Sequence, residues 1–490
     1  MRTTAHHDGA LEHLEESLER HGLETRGLEP VPDSERTATP GGLLPTWIAA
    51  NITVLLLTMG ATLAVLFGLN FWQALAAGIA APTVSYGLVG LIGIAGRRGA
   101  APGMTLSRAV FGQRGNLLPG ALIWVARWGW ETINAVTGAY ALLTVLDILF
   151  GVRSGPVLII ATLLLFVITT FAISGMGIRA VRRCNRWATW LFGAFTLLVL
   201  GRLIATTEWS RLLAQHAGST AAMITGIGLI AAGGMSWAPA SPDFTRYLPS
   251  TASSAAIVCN TVGGAVIVVL PMVLMGAVMA SGMPELARAG DPVSFLGEIL
   301  PLWLAVPYLL VALAGMLLIN AMSMYSAGFT AQTLGFRIPR HWAVAVNAVI
   351  SLVLAGVLML AATSFMGTFI AFLSLLAVAF SAWVGVFGVD MLRRREYDAT
   401  ALLDTSRASA YWYRAGFSPA AVTAWALGLL AGSLFTRSDW FTGPFAANNP
   451  VGRYGLGWIA TIVVSGLLYA VLPKPAVVPA SAGGRAPLAV

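Results

Sequence analysis

Long apolar segments separated by short polar ones run along the chain from Leu43 to Leu472. Each is about 20 residues long, enough for an α-helix to cross a hydrocarbon core about 30 Å thick. Alternating strands of about ten residues, typical of membrane barrels, are absent. The pattern therefore predicts an all-α polytopic membrane protein with twelve transmembrane helices. These helices, α1 to α12 in chain order, are predicted at 44–68, 71–95, 117–150, 156–177, 187–206, 219–238, 256–280, 302–330, 341–362, 364–388, 418–436 and 454–472.

The segments outside the main helical core are polar. Residues 1–42 have no apolar run of the kind that a signal peptide carries, and we interpret them as a cytoplasmic tail with one short helix near residues 11–21. The core itself, with α1 to α10, spans 43–388. Residues 389–417 are predicted to form a cytoplasmic loop, and 418–473 hold α11 and α12. Residues 474–490, rich in Pro, Ala and Gly, are predicted to be disordered. In the loop between α2 and α3, residues 107–115 are predicted to be an amphipathic piece at the inner membrane face.

Composition agrees with a chain that lies mostly in lipid. Hydrophobic residues make up 57% of the chain and charged residues only 10%, whereas a soluble domain carries about 25% charged residues. An ordinary soluble protein is thereby excluded. The two cysteines, Cys184 and Cys259, indicate no disulfide framework.

The distribution of charge predicts the orientation. Cytoplasmic loops collect Lys and Arg, and with the N-terminus inside, twenty-two of the 29 basic residues fall in the tails or inner loops. Six fall outside, and Arg127 lies within α3. We therefore expect a multi-pass protein of the cell (cytoplasmic) membrane with both termini in the cytoplasm. The net charge of +8 is then explained without a nucleic-acid partner.

Polar residues inside the predicted spans indicate a site, because polar groups at mid-membrane depth are costly. In α3, Trp130 and Asn134 are four residues apart and share one helical face. In α6, two glycines and a proline within residues 233–239 weaken the helix near Trp237. The other polar positions are Asn51, Thr53 and Thr58 in α1 and the patch 320–328, which begins with Asn320, in α8.

Interruptions in α1 and α6 suggest a repeat. Transporters built from inverted repeats carry broken helices at matching positions of their two halves, with the binding site between them. The two interrupted helices are five apart in order, so α1 to α5 and α6 to α10 would form a 5+5 inverted repeat, with α11 and α12 appended.

The residue types in these helices suit one kind of ligand. Tryptophan rings can stack on a flat heteroaromatic ring, and asparagine amides match a ring edge that mixes N–H and C=O. Arg127 is the one basic side chain near the site, which argues against phosphorylated nucleotides. We therefore expect a small neutral heteroaromatic substrate, such as a nucleobase or a hydantoin.

Other interpretations of these residues remain open. Both tryptophans could serve packing alone, both asparagines could bond neighbouring helices, and Thr58 could bond back to its own helix. No nucleophile–base pair, phosphate loop or metal-ligand cluster lies at membrane depth. An enzyme is therefore not predicted, nor is a cofactor or a metal site. A passive channel is the remaining alternative.

Several motifs resemble a known family. They are residues 234–239 followed by 243–249 (GMSWAP and DFTRYLP), Trp130 and Asn134 before Gly138, residues 320–335 of α8, and residues 47–51 of α1. Together they resemble the purine–cytosine permeases of the nucleobase–cation symporter-1 family. The resemblance implies the leucine-transporter-type fold, so that residues 43–388 would be a transport core, and it implies secondary active import of a purine or pyrimidine base such as cytosine. Another planar heterocycle, such as a hydantoin, allantoin, thiamine or a pyridoxine-like vitamin, is the alternative.

The resemblance also implies residue roles. Trp130 and Trp237 would sandwich the base, Asn134 and Asn320 would bind its polar edge, and Thr58 would be a further substrate contact. Asp243 and Arg246 would form a structural motif at the cytoplasmic end of α6.

One departure from the family pattern concerns the coupling cation. Sodium-coupled relatives place hydroxyl residues where this sequence has Ala314 and Gly315, so the sodium site would lack oxygen ligands. Proton coupling is then favoured over sodium, with Glu131 as the proton carrier. The alternative is that Glu131 forms a structural ion pair with Arg127, one turn away.

Overall fold

The computed structural model describes residues 26–287, 292–336, 338–361 and 365–473. Within these ranges, nine helices are long and apolar enough to cross a membrane, and three shorter apolar helices accompany them. The β pairing described consists of two isolated bridges. These helices correspond one to one with the twelve predicted spans, so the all-α polytopic class is confirmed. The predicted tail helix at 11–21 and the predicted disordered end at 474–490 lie outside the described residues.

The helix bounds follow the predicted spans closely, except at α1, α5, α6 and α10. They are α1 (Leu43–Ala49 and Leu55–Val65), α2 (Phe71–Gly99), α3 (Leu117–Phe150), α4 (Pro156–Gly175), α5 (Ile178–Thr206), α6 (Thr220–Met235 and Ser241–Thr245), α7 (Ser254–Gly282), α8 (Leu302–Thr333), α9 (Arg340–Ala361), α10 (Phe365–Arg393), α11 (Pro419–Ser433) and α12 (Gly457–Val471).

Two boundary predictions were wrong. Helix α5 begins at Ile178, so Arg182, Arg183 and Arg186 lie on its first turns instead of in a loop. Helix α10 runs to Arg393, five residues past the predicted end at 388. Arginine is a good helix former, so a helix can extend beyond the apolar span into the adjoining basic residues, where hydropathy no longer marks it. Part of the predicted amphipathic piece forms the short helix Arg108–Phe111, all four residues of which are buried.

Helices α1 and α6 are both discontinuous, as predicted from their polar and glycine residues. In α1, the side chains of Asn51 and Thr53 replace lost helical hydrogen bonds: Asn51 Nδ2 donates to Trp47 O (2.8 Å), and Thr53 Oγ1 accepts from Leu55 N (3.1 Å). In α6, a 3₁₀ turn at Ala238–Ala240 follows the break. Such unwound backbone is tolerated at membrane depth only where it lines a cavity or packs against protein.

The packing of the helices follows the predicted repeat. Helices α1, α2, α3 and α4 each contact the helix five positions later, which is α6, α7, α8 and α9 respectively. Helices α11 and α12 pack against each other and against α10. The 5+5 arrangement with two appended helices therefore appears directly in the contacts between helices.

Helices α1 and α7 approach each other closely through glycines. A Cβ at Gly60 would lie 2.0 Å from Val273 O, and one at Gly276 would lie 1.8 Å from Leu57 O. Small residues at such positions let backbones pack closely where no hydrophobic effect drives helices together. The second half of α1 (Leu55–Val65) is thereby fixed against α7, and the broken stretch lies just before it.

A polar network joins the segments at the end of the bundle where the N-terminal segment packs. Buried Asp390 at the end of α10 accepts from Tyr469 Oη of α12 (2.6 Å) and from Arg394 Nε (2.7 Å). Arg394 also donates to the backbone oxygen of Ala109 (2.9 Å), which belongs to the short helix Arg108–Phe111. Burial opposes the charge on the guanidinium, but the hydrogen bonds and charge of Asp390 outweigh it, and the pKa of Arg394 is raised. These contacts tie α10, α12 and the α2–α3 connection together.

Candidate functional site

A buried cavity lies where the broken stretches of α1 and α6 face α3 and α8. Helices α2 and α10 complete its wall. The polar and aromatic side chains that line it are Asn51, Thr53, Ser85, Tyr86, Arg127, Trp130, Asn134, Ser236, Trp237, Ser323 and Phe369.

The two predicted tryptophans both line this cavity but have different surroundings. Trp130 is half-buried and meets Phe369 and Phe372 of α10 edge to face, with ring centroids 6.1 and 5.6 Å away. Trp237 is buried and meets Trp47 edge to face at 6.1 Å. The indole N–H of Trp130 has no hydrogen-bond partner among the described residues. An aromatic wall and one free donor therefore face the cavity.

The two predicted asparagines meet across α3 and α8. Asn134 Nδ2 donates to Asn320 Oδ1 at 3.5 Å, and both side chains are almost fully buried. Asn134 Oδ1 and Asn320 Nδ2 have no partner among the described residues. Buried polar groups are normally paired. Asn134 lines the cavity, whereas Asn320 is not among the residues that line it. The unused acceptor of Asn134 is therefore open to a ligand, and the unused donor of Asn320 lies directly behind it.

A buried guanidinium forms part of the same wall. The carbon of the Arg127 guanidinium lies 5.1 Å from the centroid of the Trp237 ring, a cation–π contact. Its Nη2 donates to Ser236 O at 3.2 Å, and its Nε has no partner among the described residues. Arg127 thus covers a face of Trp237 with a fixed positive charge.

Glu131 lies just behind the cavity, next to Ser323. Its Oε1 accepts from Ser323 Oγ at 3.4 Å, and its Oε2 has no hydrogen-bond partner among the described residues. The side chain is fully buried. Arg127 donates to Ser236 O instead of Glu131, so the structure does not use this carboxyl to pair the arginine directly.

The polar residues of α1 face two directions. Asn51 Oδ1 accepts from Tyr86 Oη at 2.9 Å, and Thr53 also lines the cavity. The hydroxyl of Thr58, in contrast, donates to Val54 O of its own helix at 3.4 Å, and Thr58 is not among the residues that line the cavity. Of these two threonines of α1, Thr53 is therefore the one that lines the cavity.

Asp243 and Arg246 lie past the break of α6, beyond the cavity. Asp243 Oδ1 accepts from Gly103 N at 2.8 Å. Arg246 donates to Gly27 O (3.1 Å) and to Tyr247 Oη (2.8 Å), and its guanidinium lies 4.5 Å from the centroid of Phe329. Their contacts join the N-terminal segment, the α2–α3 connection and the end of α8.

The region of the expected sodium ligands is tightly packed. A Cβ at Gly315 of α8 would lie 2.1 Å from Ile52 Cγ2 and 2.8 Å from Ile52 O. A hydroxyl side chain at this position would clash with the broken stretch of α1. In the part of the chain that the structure describes, no group of three or more His, Cys, Asp or Glu side chains could hold a metal ion.

Three contributors to the cavity were missed from the sequence: Tyr86 of α2, Ser85 beside it, and Phe369 of α10. Tyr86 had a weak signal, because a phenol inside an apolar span needs a hydrogen-bond partner. Phe369 had none, since an aromatic residue in an apolar span is equally typical of packing.

A helical bundle in which two broken helices enclose a buried, partly polar cavity defines a membrane transporter. The family model described as a permease for cytosine/purines, uracil, thiamine and allantoin matches residues 30–457. The chain belongs to this permease family, which confirms the resemblance seen in its motifs and excludes an enzyme.

Curated relatives agree with this assignment, one of them over nearly its full length. The chain is 24% identical over 475 residues to the Bacillus subtilis protein named "Putative purine-cytosine permease YxlA", covering 92% of this chain and 96% of that one. It is 26% identical over 283 residues to the purine-cytosine permease FCY2 of Saccharomyces cerevisiae, covering 55% and 49% of the two chains.

The fold is that of a solved transporter. Mhp1, a nucleobase-cation-symport-1 family transporter in a closed conformation with bromovinylhydantoin bound, superposes with a TM-score of 0.74 at 21% identity, over 91% of this chain and 94% of that one. An inward-facing Mhp1 structure gives a TM-score of 0.67 at 21% identity, over 91% and 95%. The predicted fold class is therefore confirmed.

Proposed function

We propose that this nucleobase permease imports a purine or pyrimidine base by alternating access and couples import to protons. The observation that carries the proposal is the Asn134–Asn320 pair, in which one acceptor and one donor are unused. Asn134 lines the cavity together with Trp130, and Asn320 lies behind Asn134, outside the lining itself. A base that stacks on Trp130 and presents adjacent N–H and C=O groups, or N–H and ring nitrogen, satisfies both amides. A buried donor or acceptor without a hydrogen-bond partner costs free energy. A ligand that supplies the missing partners recovers this free energy on binding.

Other planar heterocycles are the second candidate. A hydantoin or allantoin also carries N–H next to C=O, and Mhp1 is described with a bromovinylhydantoin bound. The family description names cytosine, purines, uracil, thiamine and allantoin. Bases are placed first because the relative matched over its full length is named for purines and cytosine.

The choice of protons rests on two features. Gly315 packs against Ile52, so the position where sodium-coupled relatives carry a hydroxyl has no room for one. Glu131 is a buried carboxyl that reaches the cavity through Ser323, with one oxygen unpartnered. A carboxyl in that position can carry one proton between the two sides of the membrane.

Orientation completes the proposal. The protein lies in the cell membrane with both termini in the cytoplasm. The basic flanks of the helices then face the cytoplasm, as the distribution of Lys and Arg requires. In this orientation the end of α10 with Asp390 and Arg394 lies at the cytoplasmic side, and the proton gradient drives the base inward.

Uptake into proteoliposomes tests the function. Labelled hypoxanthine, cytosine and allantoin are offered with an inward proton gradient, an inward sodium gradient, or neither. We expect accumulation of a base above equilibrium only with the proton gradient, and its loss on adding a protonophore. Accumulation driven by sodium alone would overturn the coupling, equilibration without any gradient would indicate a channel, and accumulation of allantoin alone would favour the second candidate.

A further inference from the structure

We infer that Arg127 determines specificity, and that the site selects 6-oxopurines over 6-aminopurines by reading their O6 and N7 acceptors. This inference rests on the proposed function and names the substrate class within it.

The first step is the placement of three side chains on α3. Arg127, Trp130 and Asn134 follow each other at intervals of three and four residues, so they lie on one helical face, and all three line the cavity. Arg127 and Asn134 are two turns apart, about 10.5 Å along the axis at about 1.5 Å per residue. A flat bicyclic ring stacked on Trp130 between them presents one edge to the amides and the opposite edge to the guanidinium.

The second step is the chemistry of the guanidinium. Arginine carries five N–H donors and no acceptor, and it stays protonated. Here one donor is bound to Ser236 O, and Nε has no partner although the side chain is almost fully buried. A buried donor without a partner favours a ligand that brings an acceptor.

The third step is which ring edge suits this donor. With N9–H and N3 of a purine at the asparagine amides, O6 and N7 of a 6-oxopurine point to Arg127, and arginine recognises this pair of acceptors well. A 6-aminopurine in the same pose brings an N–H₂ donor against the guanidinium. Two donors then face each other in a buried cavity, and a site that hydrogen-bonds one substrate pattern strongly rejects an analogue that leaves its polar groups unpaired.

The competing interpretation is that Arg127 only braces α3 against α6, through Ser236 O and the Trp237 ring. A brace affects all ligands alike. A specificity residue changes the ratio between two ligands of the same shape, and this ratio separates the two roles.

The experiment measures dissociation constants for hypoxanthine, guanine and adenine with the purified full-length protein, in wild type, Arg127→Gln and Arg127→Lys. Arg202→Gln, an exposed arginine on α5, is the matched control. We expect the wild type to bind both 6-oxopurines at least about tenfold tighter than adenine, the scale of a hydrogen bond to a charged group. Arg127→Gln should bring the hypoxanthine-to-adenine ratio to within about threefold of one, because an amide can turn either its donor or its acceptor to the ligand. Arg127→Lys should keep part of the preference, and Arg202→Gln all of it.

Each other outcome has a distinct meaning. Equal weakening of all three purines in Arg127→Gln, with the ratio unchanged, overturns the inference and leaves the proposed function standing, as does a wild-type preference for adenine. If Arg127→Gln does not fold, Arg127→Lys carries the decision, and an unchanged ratio in that variant also overturns the inference. Binding of hydantoins but of no purine overturns the inference together with the choice of nucleobases.

Discussion

Gly315 of α8 packs directly against Ile52 in the unwound stretch of α1, so closely that a Cβ at Gly315 would lie 2.1 Å from the Ile52 side chain. The contact joins helices from the two halves of the repeat next to the cavity. It explains why this position carries no side chain.

The Gly315–Ile52 contact predicts that Gly315→Ala impairs the protein. An added methyl in a tightly packed contact costs about 1–3 kcal/mol, and here it pushes α8 away from the broken part of α1. We expect a lower melting temperature in detergent and slower uptake. Gly356→Ala on α9, where no atom lies within 4 Å of the added Cβ, is the control and should behave as wild type. Equal melting temperatures for both variants would contradict the packing argument.

Asn320→Ala should weaken substrate binding about tenfold to a hundredfold, because it removes the free donor and leaves Asn134 without its partner. Binding by tryptophan fluorescence or isothermal titration measures the change. Asn260→Ala, whose amide bonds only to Ala256 O of its own helix α7, controls for loss of an intramembrane asparagine. An Asn320→Ala variant that binds like Asn260→Ala would show that the amide pair serves helix packing alone.

Trp130→Ala should lower affinity more than Trp130→Phe, since base–aromatic stacking is worth about 1–3 kcal/mol per base and a phenyl ring keeps part of it. Trp342 of α9, whose side chain is exposed, offers a matched tryptophan outside the cavity, and Trp342→Ala should leave affinity unchanged. Competition uptake with unlabelled base gives the ranking. Equal affinities for Trp130→Ala and wild type would remove this tryptophan from the site.

Glu131→Gln should uncouple transport from the proton gradient. The amide keeps the shape and the contact with Ser323 but carries no exchangeable charge, so substrate binding and exchange of internal for external base should persist while accumulation fails. Glu208→Gln, an exposed residue past the end of α5, is the matched control and should accumulate normally. Proton-driven accumulation by Glu131→Gln at the wild-type level would exclude Glu131 as the carrier.

Tyr469→Phe should destabilise the end of the bundle where α10 and α12 meet the α2–α3 connection. The phenol donates to the buried carboxylate of Asp390 at 2.6 Å, and a hydrogen bond to a charged group contributes about 1.5–3 kcal/mol. A fall of several degrees in melting temperature, with substrate affinity retained, is the expected result. The control is Tyr454→Phe, because no side-chain hydrogen bond of Tyr454 occurs among the described residues. A melting temperature for Tyr469→Phe equal to that of Tyr454→Phe would show that the network contributes little.

The sequence alone determined the class of fold, the order of the helices and the two places where they break. These follow from local properties: apolar length, and glycine, proline and polar residues that weaken a helix. It also predicted Trp130, Asn134, Trp237 and Asn320 as site residues, and the structure places the first three in the cavity wall and Asn320 behind Asn134. The bounds of α5 and α10 escaped it, since basic helical turns do not differ from loops in hydropathy.

Only the tertiary structure decided which polar groups face the cavity. Thr53 lines it while Thr58 bonds to its own helix, a difference set by the unwinding at the break and by the rotation of the helix after it. Arg127 lies on Trp237 because α3 and α6 pack together at that height, a contact between residues 110 positions apart. The hydrophobic pattern determines which segments enter the membrane. The direction of each side chain depends on packing against residues distant in the chain, and this packing determines the chemistry of the site.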